Sequence, residues 1–401
     1  MAKLSEEEAP AAFEVFLIFL KLGLTSFGGP VAHIGYFRDE FVVRRKWLSE
    51  RTYSDLIALC QFLPGPASSQ VGMAVGFGRR GYLGALAAWT GFTLPSAILM
   101  ILFALGIARY SSMVGGGVLH GLKIAAVAVV AQAVWCMGRQ LCTDVIRISI
   151  MVAVAVGVLL FPSPYIQVGV IGVAGLVGWL LIKPAEIAAA GSEALTAPRS
   201  YREGAIFLTL FFVLLIGLPL LAGVLQNQSL NVVDAFYRAG SLVFGGGHVV
   251  LALLQAEVVP AGWVGSDAFL AGYGAAQAVP GPLFTFAAFL GSSMNNAPTG
   301  VIGGIIALLA IFLPSALLVF GALPFWDRLR ANPVMQAALG GVNAAVVGLL
   351  LAALYNPVWV SAFQSEKHFA FGLMAFTALM FWKLPPWIVV IGCAVIGWLT
   401  L

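Results

Sequence analysis

Apolar runs dominate this chain, and short polar stretches punctuate them. A helix crossing the hydrocarbon core needs about 20 consecutive apolar residues. The first half offers four such runs, at residues 82–108, 121–137, 145–161 and 165–182. The second half offers 300–322, 335–354, 369–382 and 387–401, the last two short, and one more run, 205–225, lies between the halves. Four further apolar stretches are broken from within. "TSFGGPVAH" begins at Thr25 and "SLVFGGGHVV" at Ser241, while "QFLPGP" begins at Gln61 and "QAVPGP" at Gln277. Each interior glycine costs a helix about 1 kcal/mol relative to alanine, and proline removes an amide donor and clashes with the preceding turn. The pattern predicts an all-α polytopic membrane protein. Nine through-going helices and four broken or re-entrant segments make about 13 helical segments.

The interruptions come in order, twice. "KLGLTSFGGP" from Lys21 lies over "RAGSLVFGGG" from Arg238, so that Phe27, Gly28 and Gly29 match Phe244, Gly245 and Gly246. Glu40 matches Glu257, Trp47 matches Trp263, and "QFLPGP" matches "QAVPGP". "LPSA" occurs at Leu94 and again at Leu313, and "GLKIAAV" from Gly121 lies over "GVNAAVV" from Gly341. The offset drifts only from 216 to 220 across these anchors. This is a duplication, with residues 1–182 as the N-terminal repeat, 183–230 as a polar linker plus one extra helix, and 231–401 as the C-terminal repeat. Each copy crosses an even number of times and the extra helix adds one crossing. The second copy is therefore expected upside down, the inverted-repeat plan of many secondary transporters.

Charge supports that orientation. With the broken segments as hairpins, Arg38, Arg44, Arg45, Lys46, Arg51, Arg79, Arg80, Arg139, Arg147, Lys183, Arg199, Arg202, Arg328, Arg330 and Lys383 all fall on one side, the cytoplasmic one by the positive-inside bias. Arg109, Lys123 and Lys367 are the exceptions. The matching loop of the second copy, residues 257–267, holds acids and no Lys or Arg. Composition agrees: 61% of residues are hydrophobic and 9% charged, against roughly 25% charged in soluble domains, and the mean hydropathy is +0.98. The net charge of +4 gives no reason to expect a nucleic-acid partner. The acidic start "MAKLSEEEAP" lacks the basic region of a secretory signal, so no cleaved segment is expected. Cys60, Cys136, Cys142 and Cys393 lack paired spacing and read as buried small hydrophobes, so neither metal nor cofactor is expected.

Irregular backbone at membrane depth must be buried in protein or line a wet cavity. A half-helix that starts at such a break presents free N–H donors and about half a positive charge, which suits an anion. Pro30, Pro66 and Pro282 are expected in the first turn of such half-helices. Four converging starts would form a cage from Phe27, Gly28, Gly29 and Pro30; Pro64, Gly65 and Pro66; Phe244, Gly245, Gly246 and Gly247; and Pro280, Gly281 and Pro282. Side chains nearby can donate: Lys21, Arg238, His33, His248, Gln61, Gln277, Ser68, Ser69, Gln70 and Thr285. Lys21 and Arg238 either bind the anion or snorkel to an interface. His33 and His248 either touch substrate or a proton, or cap carbonyls. Glu40 and Glu257 read equally as proton carriers and as loop acids. No HExxH, G-x-S-x-G or P-loop pattern occurs, so an enzyme is not expected.

"LTSFGGPVAHIGYF", "LPGPASSQ", "FGGGHVVLALL" and "VPGPLFTFAAFLG" together resemble the CHR (chromate ion transporter) family in its long, two-repeat form. The resemblance covers nearly the whole chain and departs at Ala252, where the family pattern has proline. It implies a bacterial inner-membrane protein with antiparallel halves that extrudes chromate and confers chromate resistance, with sulfate as a related oxyanion. The partners expected are a small inorganic oxyanion and the lipid bilayer, with a homo-oligomer left open. Another small anion as substrate, or an anion channel, are the rival readings.

Overall fold

The computed structural model describes residues 11–110, 116–183 and 200–400. The N-terminal decapeptide, Arg199 and most of the polar linker lie outside the described residues, as does Leu401. The first copy runs through α1 (Ala12–Thr25), α2 (Gly29–Arg38), α3 (Glu50–Phe62), α4 (Ala67–Tyr110), α5 (Gly116–Leu141), α6 (Val145–Leu160) and α7 (Pro164–Leu181). The linker helix is α8 (Tyr201–Leu225). The second copy contains α9 (Gln228–Leu242), α10 (Val250–Val258), α11 (Ser266–Ala276), α12 (Phe286–Ser292), α13 (Gly300–Ala322), α14 (Trp326–Arg330), α15 (Pro333–Ala353), α16 (Val360–Ala362), α17 (Glu366–Met380) and α18 (Pro386–Thr400). The described residues form helices and turns, as the apolar pattern requires.

Polar caps mark where the helices begin. The side chains of Ser49, Asp144, Asn227 and Asn332 each accept a first-turn N–H of the next helix. The stretch 67–110 is two helices folded back on each other, because Arg80 and Gly81 leave helical geometry and Gly81 takes φ +57°, so that a Cβ on Gly76 would strike the Gly84 carbonyl. The second copy breaks in the same place, between α12 and α13, where Gly300 takes φ +62°. The run expected at 82–108 is thus a helix of its own. Among the described residues, four broken hairpins and nine further helices of at least 15 residues make the expected set. Among the described residues, five helical stretches are long and apolar enough to cross a bilayer. α6 has 16 residues, and α17 and α18 have 15 each. At 1.5 Å per residue these reach about 22–24 Å, short of a 30 Å hydrocarbon core, so the bilayer thins locally or polar ends snorkel around them.

Burial follows membrane rules. Ile206, Phe212, Val213, Ile216 and Leu220 of α8 are exposed, since lipid replaces protein as their apolar neighbour. The same reason corrects one cysteine: Cys60 and Cys142 are buried and Cys393 half-buried, but Cys136 is exposed beside the exposed Trp135.

The two copies exchange helices. α6 and α7 of the first copy pack on α15 of the second, while α17 and α18 of the second pack on α5 of the first. Glycines allow the approach at matched places. A Cβ on Gly178 would lie 2.7 Å from the Ala337 carbonyl, and one on Gly341 would strike that of Ala174. Likewise a Cβ on Gly121 would strike the Cys393 carbonyl, and one on Gly397 that of Gly117. Residue numbers rise on one helix as they fall on the other, so α7 runs antiparallel to α15 and α18 antiparallel to α5. The connections α5–α6 and α6–α7 are short, and each reverses the chain. α7 therefore shares the direction of α5, and α15, the repeat-mate of α5, points the opposite way. The copies are inverted.

Charges sort between the two faces. The Arg38 guanidinium pairs with Glu50, Arg79 donates to the Trp47 carbonyl, and Arg330 of the second copy reaches Asp55 of the first at 3.3 Å. Lys123, an exception to the charge bias, is buried and bonded to Asp267 at 2.9 Å, in the acidic loop of the second copy. Valine at Gly121 or Gly341 is expected to lower the melting temperature in detergent by several degrees, a cost of about 1–3 kcal/mol each from overpacking. Gly138→Val, whose Cβ meets no neighbour within 4 Å, is expected to leave it unchanged. Scanning fluorimetry of the three variants checks this.

Candidate functional site

The glycine breaks adopt backbone that other residues resist. Gly28, Gly29, Gly65, Gly245, Gly246 and Gly281 take φ values of +102°, +76°, +122°, +73°, +148° and +101°. Two hydrogen bonds bring the breaks together across the copies. Gly65 N–H in the first PGP donates to the Val243 carbonyl, just before the second FGG, at 2.7 Å. Gly281 N–H in the second PGP donates to the Ser26 carbonyl, just before the first FGG, at 3.0 Å. The two bonds are each other's repeat-mates, related by the internal two-fold. The glycine breaks also approach directly, since a Cβ on Gly247 would sit 3.3 Å from Pro30 Cγ.

The LPSA motifs cross over in the same way. A Cβ on Gly65 would strike Ser315 Oγ, and one on Gly281 would lie 2.8 Å from Ser96 Oγ. Each PGP turn is glycine because the LPSA serine of the other copy lies against it. Ser96 and Ser315 were legible in the sequence as repeat anchors. Their contact with the PGP turns was not, because it joins segments more than 180 residues apart.

His33 ties the junction internally. Its Nε2 lies 3.2 Å from the Ser26 carbonyl and its Nδ1 3.3 Å from Ser68 Oγ. A carbonyl can only accept, so Nε2 carries a proton, and Nδ1 pairs with the Ser68 hydroxyl. His33 is fully buried and acts as a brace between the first FGG break and the start of α4. His248 Nδ1 meets the Tyr273 hydroxyl at 2.9 Å, joining the second break to α11.

The remaining candidates divide. Pro30 lies in the first turn of α2 as expected. Pro66 and Pro282 instead stand one residue before their helical turns, because the φ-positive Gly65 and Gly281 leave that residue extended. Pro64, Gly65, Pro66, Pro280, Gly281 and Pro282 are all buried. Phe27 lies 5.7 Å from the Trp387 ring, and Phe244 is half-buried. Gly28 and Gly245 are both exposed, whereas Gly29 and Gly246 are half-buried and Gly247 is buried. Lys21 and Gln61 are exposed. Gln277 Nε2 is buried without a partner. The Thr285 hydroxyl donates to the Pro282 carbonyl at 2.9 Å.

Arg238 is already engaged. Its Nε and Nη2 donate to Glu257 at 3.1 and 2.9 Å, and its Nη1 lies 3.2 Å from Asp234. Glu40 accepts from Arg45 at 2.6 Å and from Arg44 at 3.0 Å. The matched acids of the two copies are thus both held by arginines. In the first copy those arginines come after the acid in sequence, so Lys21, the repeat-mate of Arg238, is left exposed.

Among the described residues, the buried polar atoms without a partner include Ser26 Oγ, Ser69 Oγ, Gln70 Oε1, Thr93 Oγ1 and Ser315 Oγ, on residues in or next to the breaks and the LPSA motifs. Such atoms are uncommon, because a buried polar group without a partner costs free energy. Two apolar cavities, of about 580 Å³ beside Trp89 and Phe312 and about 300 Å³ beside Phe371 and Val389, lie on helix flanks away from the breaks. Among the described residues no group of three or more His, Cys, Asp or Glu could hold a metal ion.

The chain matches the family model described as chromate transporter twice, over residues 13–179 and 230–398. It belongs to the chromate transporter family. A chromate transport protein of Pseudomonas aeruginosa is 30% identical over 410 residues, covering 96% of this chain and 92% of that protein. An uncharacterized transporter of Methanocaldococcus jannaschii is 28% identical, covering 87% and 85%. An uncharacterized transporter of Bacillus subtilis is 30% identical over 165 residues, which is 40% of this chain but 82% of that protein. That relative corresponds to one copy of the unit that is doubled here. No solved structure matches the chain. Family membership makes this a multi-pass membrane transporter, in agreement with its long apolar helices.

Arg238→Gln is expected to leave the half-buried Glu257 and the buried Asp234 uncompensated and to destabilise the protein by up to about 3 kcal/mol. Arg238→Gln combined with Glu257→Gln is expected to recover much of that loss. Melting curves of both variants, normalised to membrane insertion, check the pairing.

Proposed function

We propose that this protein exports chromate across the bacterial inner membrane, binding the ion where the four breaks meet. The observation that carries this reading is the reciprocal pair Gly65–Val243 and Gly281–Ser26. It joins two duplicated sets of helix interruptions at one place, with both PGP turns buried, inside a chain that is otherwise apolar. Chromate is a tetrahedral dianion at neutral pH. First-turn N–H groups and serine hydroxyls are donors without formal charge, so they can hold a dianion and still release it. Sulfate has the same shape and charge, and we expect it to compete.

The membrane potential supplies enough free energy. One charge crossing 100 mV is worth about 2.3 kcal/mol, so a dianion leaving an inside-negative cell gains about 4.6 kcal/mol, a gradient on the order of a thousandfold. Glu40 and Glu257, the candidate proton carriers, are each engaged by arginine in this conformation. A proton-coupled cycle through either acid would have to break such a pair. Export driven by membrane potential, by proton antiport, or by both fits the chain, and the potential by itself supplies enough free energy.

The test is uptake of labelled chromate into inside-out vesicles. Accumulation is expected under a lumen-positive potential, with sulfate as competitor, and is expected to persist when the pH gradient alone is collapsed. Loss of uptake at fixed voltage would show proton coupling instead, and absence of uptake under every condition would remove chromate export. Gly65→Ala places a methyl against Ser315 and is expected to cut the uptake rate by roughly tenfold or more while the protein still inserts.

A further inference from the structure

The two PGP turns match in backbone but differ in the residues immediately after them. In the first copy the next four residues are Ala67, Ser68, Ser69 and Gln70. Their repeat-mates are Leu283, Phe284, Thr285 and Phe286, all buried, with Phe284 tilted against the Phe312 ring at 5.8 Å. The second turn continues as a short 3-10 turn into the seven-residue α12, and its one hydroxyl is spent on the Pro282 carbonyl. The first turn leads directly into residues 67–79 of α4, whose first-turn N–H groups have no helical partner.

The LPSA serines differ in the same sense. Ser96, beside the second turn, donates its hydroxyl to the Thr93 carbonyl at 3.0 Å. Ser315, beside the first turn, is fully buried and its hydroxyl has no partner. Ser69 Oγ, 2% exposed, also has none. Gln70 Nε2 donates to the Pro64 carbonyl at 2.8 Å and holds the turn. That fixes its unpartnered Oε1 as an acceptor, suited to a water that accompanies the ion rather than to the ion itself.

We propose that the duplicated site has become one-sided in its hydroxyl donors: the oxyanion is bound at the start of α4 by Ser69 and Ser315, and the second side keeps only the amide donor Gln277 Nε2. Ser315 is supplied by the opposite copy, so the site exists only when the two inverted copies are joined at this crossing. The second PGP turn, filled by Leu283 and Phe284, is a structural prop that aims the Ser26 carbonyl and, through it, His33 and Ser68. The ligand class is a tetrahedral oxyanion. The donor set rests on the protein's being an oxyanion transporter but is read by binding rather than by transport.

The experiment is equilibrium binding of labelled chromate, and separately of labelled sulfate, to the purified full-length protein. Ser69→Ala and Ser315→Ala are each expected to weaken binding on the order of tenfold, the usual effect of losing one hydrogen bond to a charged group. Ser315→Thr retains the hydroxyl and is expected to keep most of the affinity. Ser96→Ala is expected to change affinity by less than about twofold, because its hydroxyl is already committed to a carbonyl. Melting curves separate binding loss from misfolding. Equal losses in Ser96→Ala and Ser315→Ala would overturn the one-sided site, as would unchanged affinity in both Ser69→Ala and Ser315→Ala. A wild-type protein that binds neither ion also overturns it. Wild-type protein that binds chromate through these serines but moves none in vesicles leaves the donor set standing and removes export.

Discussion

A broken helix inside a membrane must find its hydrogen bonds within the protein, because the hydrocarbon offers none. This chain interrupts four helices at glycine or proline, and the rest of the structure answers to that requirement. The bonds from Gly65 to Val243 and from Gly281 to Ser26 satisfy one copy's exposed backbone with the other copy's. Neither copy can close its own breaks in this way. The Ser26 carbonyl receives both Gly281 N–H and His33 Nε2–H, so one acceptor fixes three segments at once.

Helix exchange obeys the same logic on a larger scale. α6 and α7 wrap the partner copy's α15, and α17 and α18 wrap α5. Lipid tails are as apolar as leucine, so burial gives little drive for helices to associate in a bilayer. Association then depends on close backbone approach, which is why glycine faces carbonyl at Gly178–Ala337, Gly341–Ala174, Gly121–Cys393 and Gly397–Gly117. Joining the copies through four such contacts holds the central crossing in register.

Electrostatics has been arranged so that the junction itself carries no formal side-chain charge. Arg238 is bound to Glu257 and Asp234, Glu40 to Arg44 and Arg45, and Lys123 to Asp267. His33 is bonded at both ring nitrogens, to the Ser26 carbonyl and the Ser68 hydroxyl. On the proposed reading, helix starts and hydroxyls are left to meet an anion. Weak donors of this kind suit a transporter, which has to let its ion go.

The apolar runs, the duplicated breaks and the inversion were legible in the chain, because run length, order of glycine and proline, and charge asymmetry are local properties. The convergence of the FGG and PGP breaks was legible only as a necessity: something had to satisfy them. Which atoms do so was decided by tertiary structure, since the bonds span more than 170 residues and cross from one copy to the other. Arg238 shows the limit plainly. Its position two turns before a break reads in the sequence as an anion ligand or a snorkelling base, yet the return of α10 places Glu257 against it and commits its charge. Ser315 shows the converse: a repeated serine with no chemical signature of its own becomes a buried, unpartnered donor only because α13 of one copy is laid across the turn of the other.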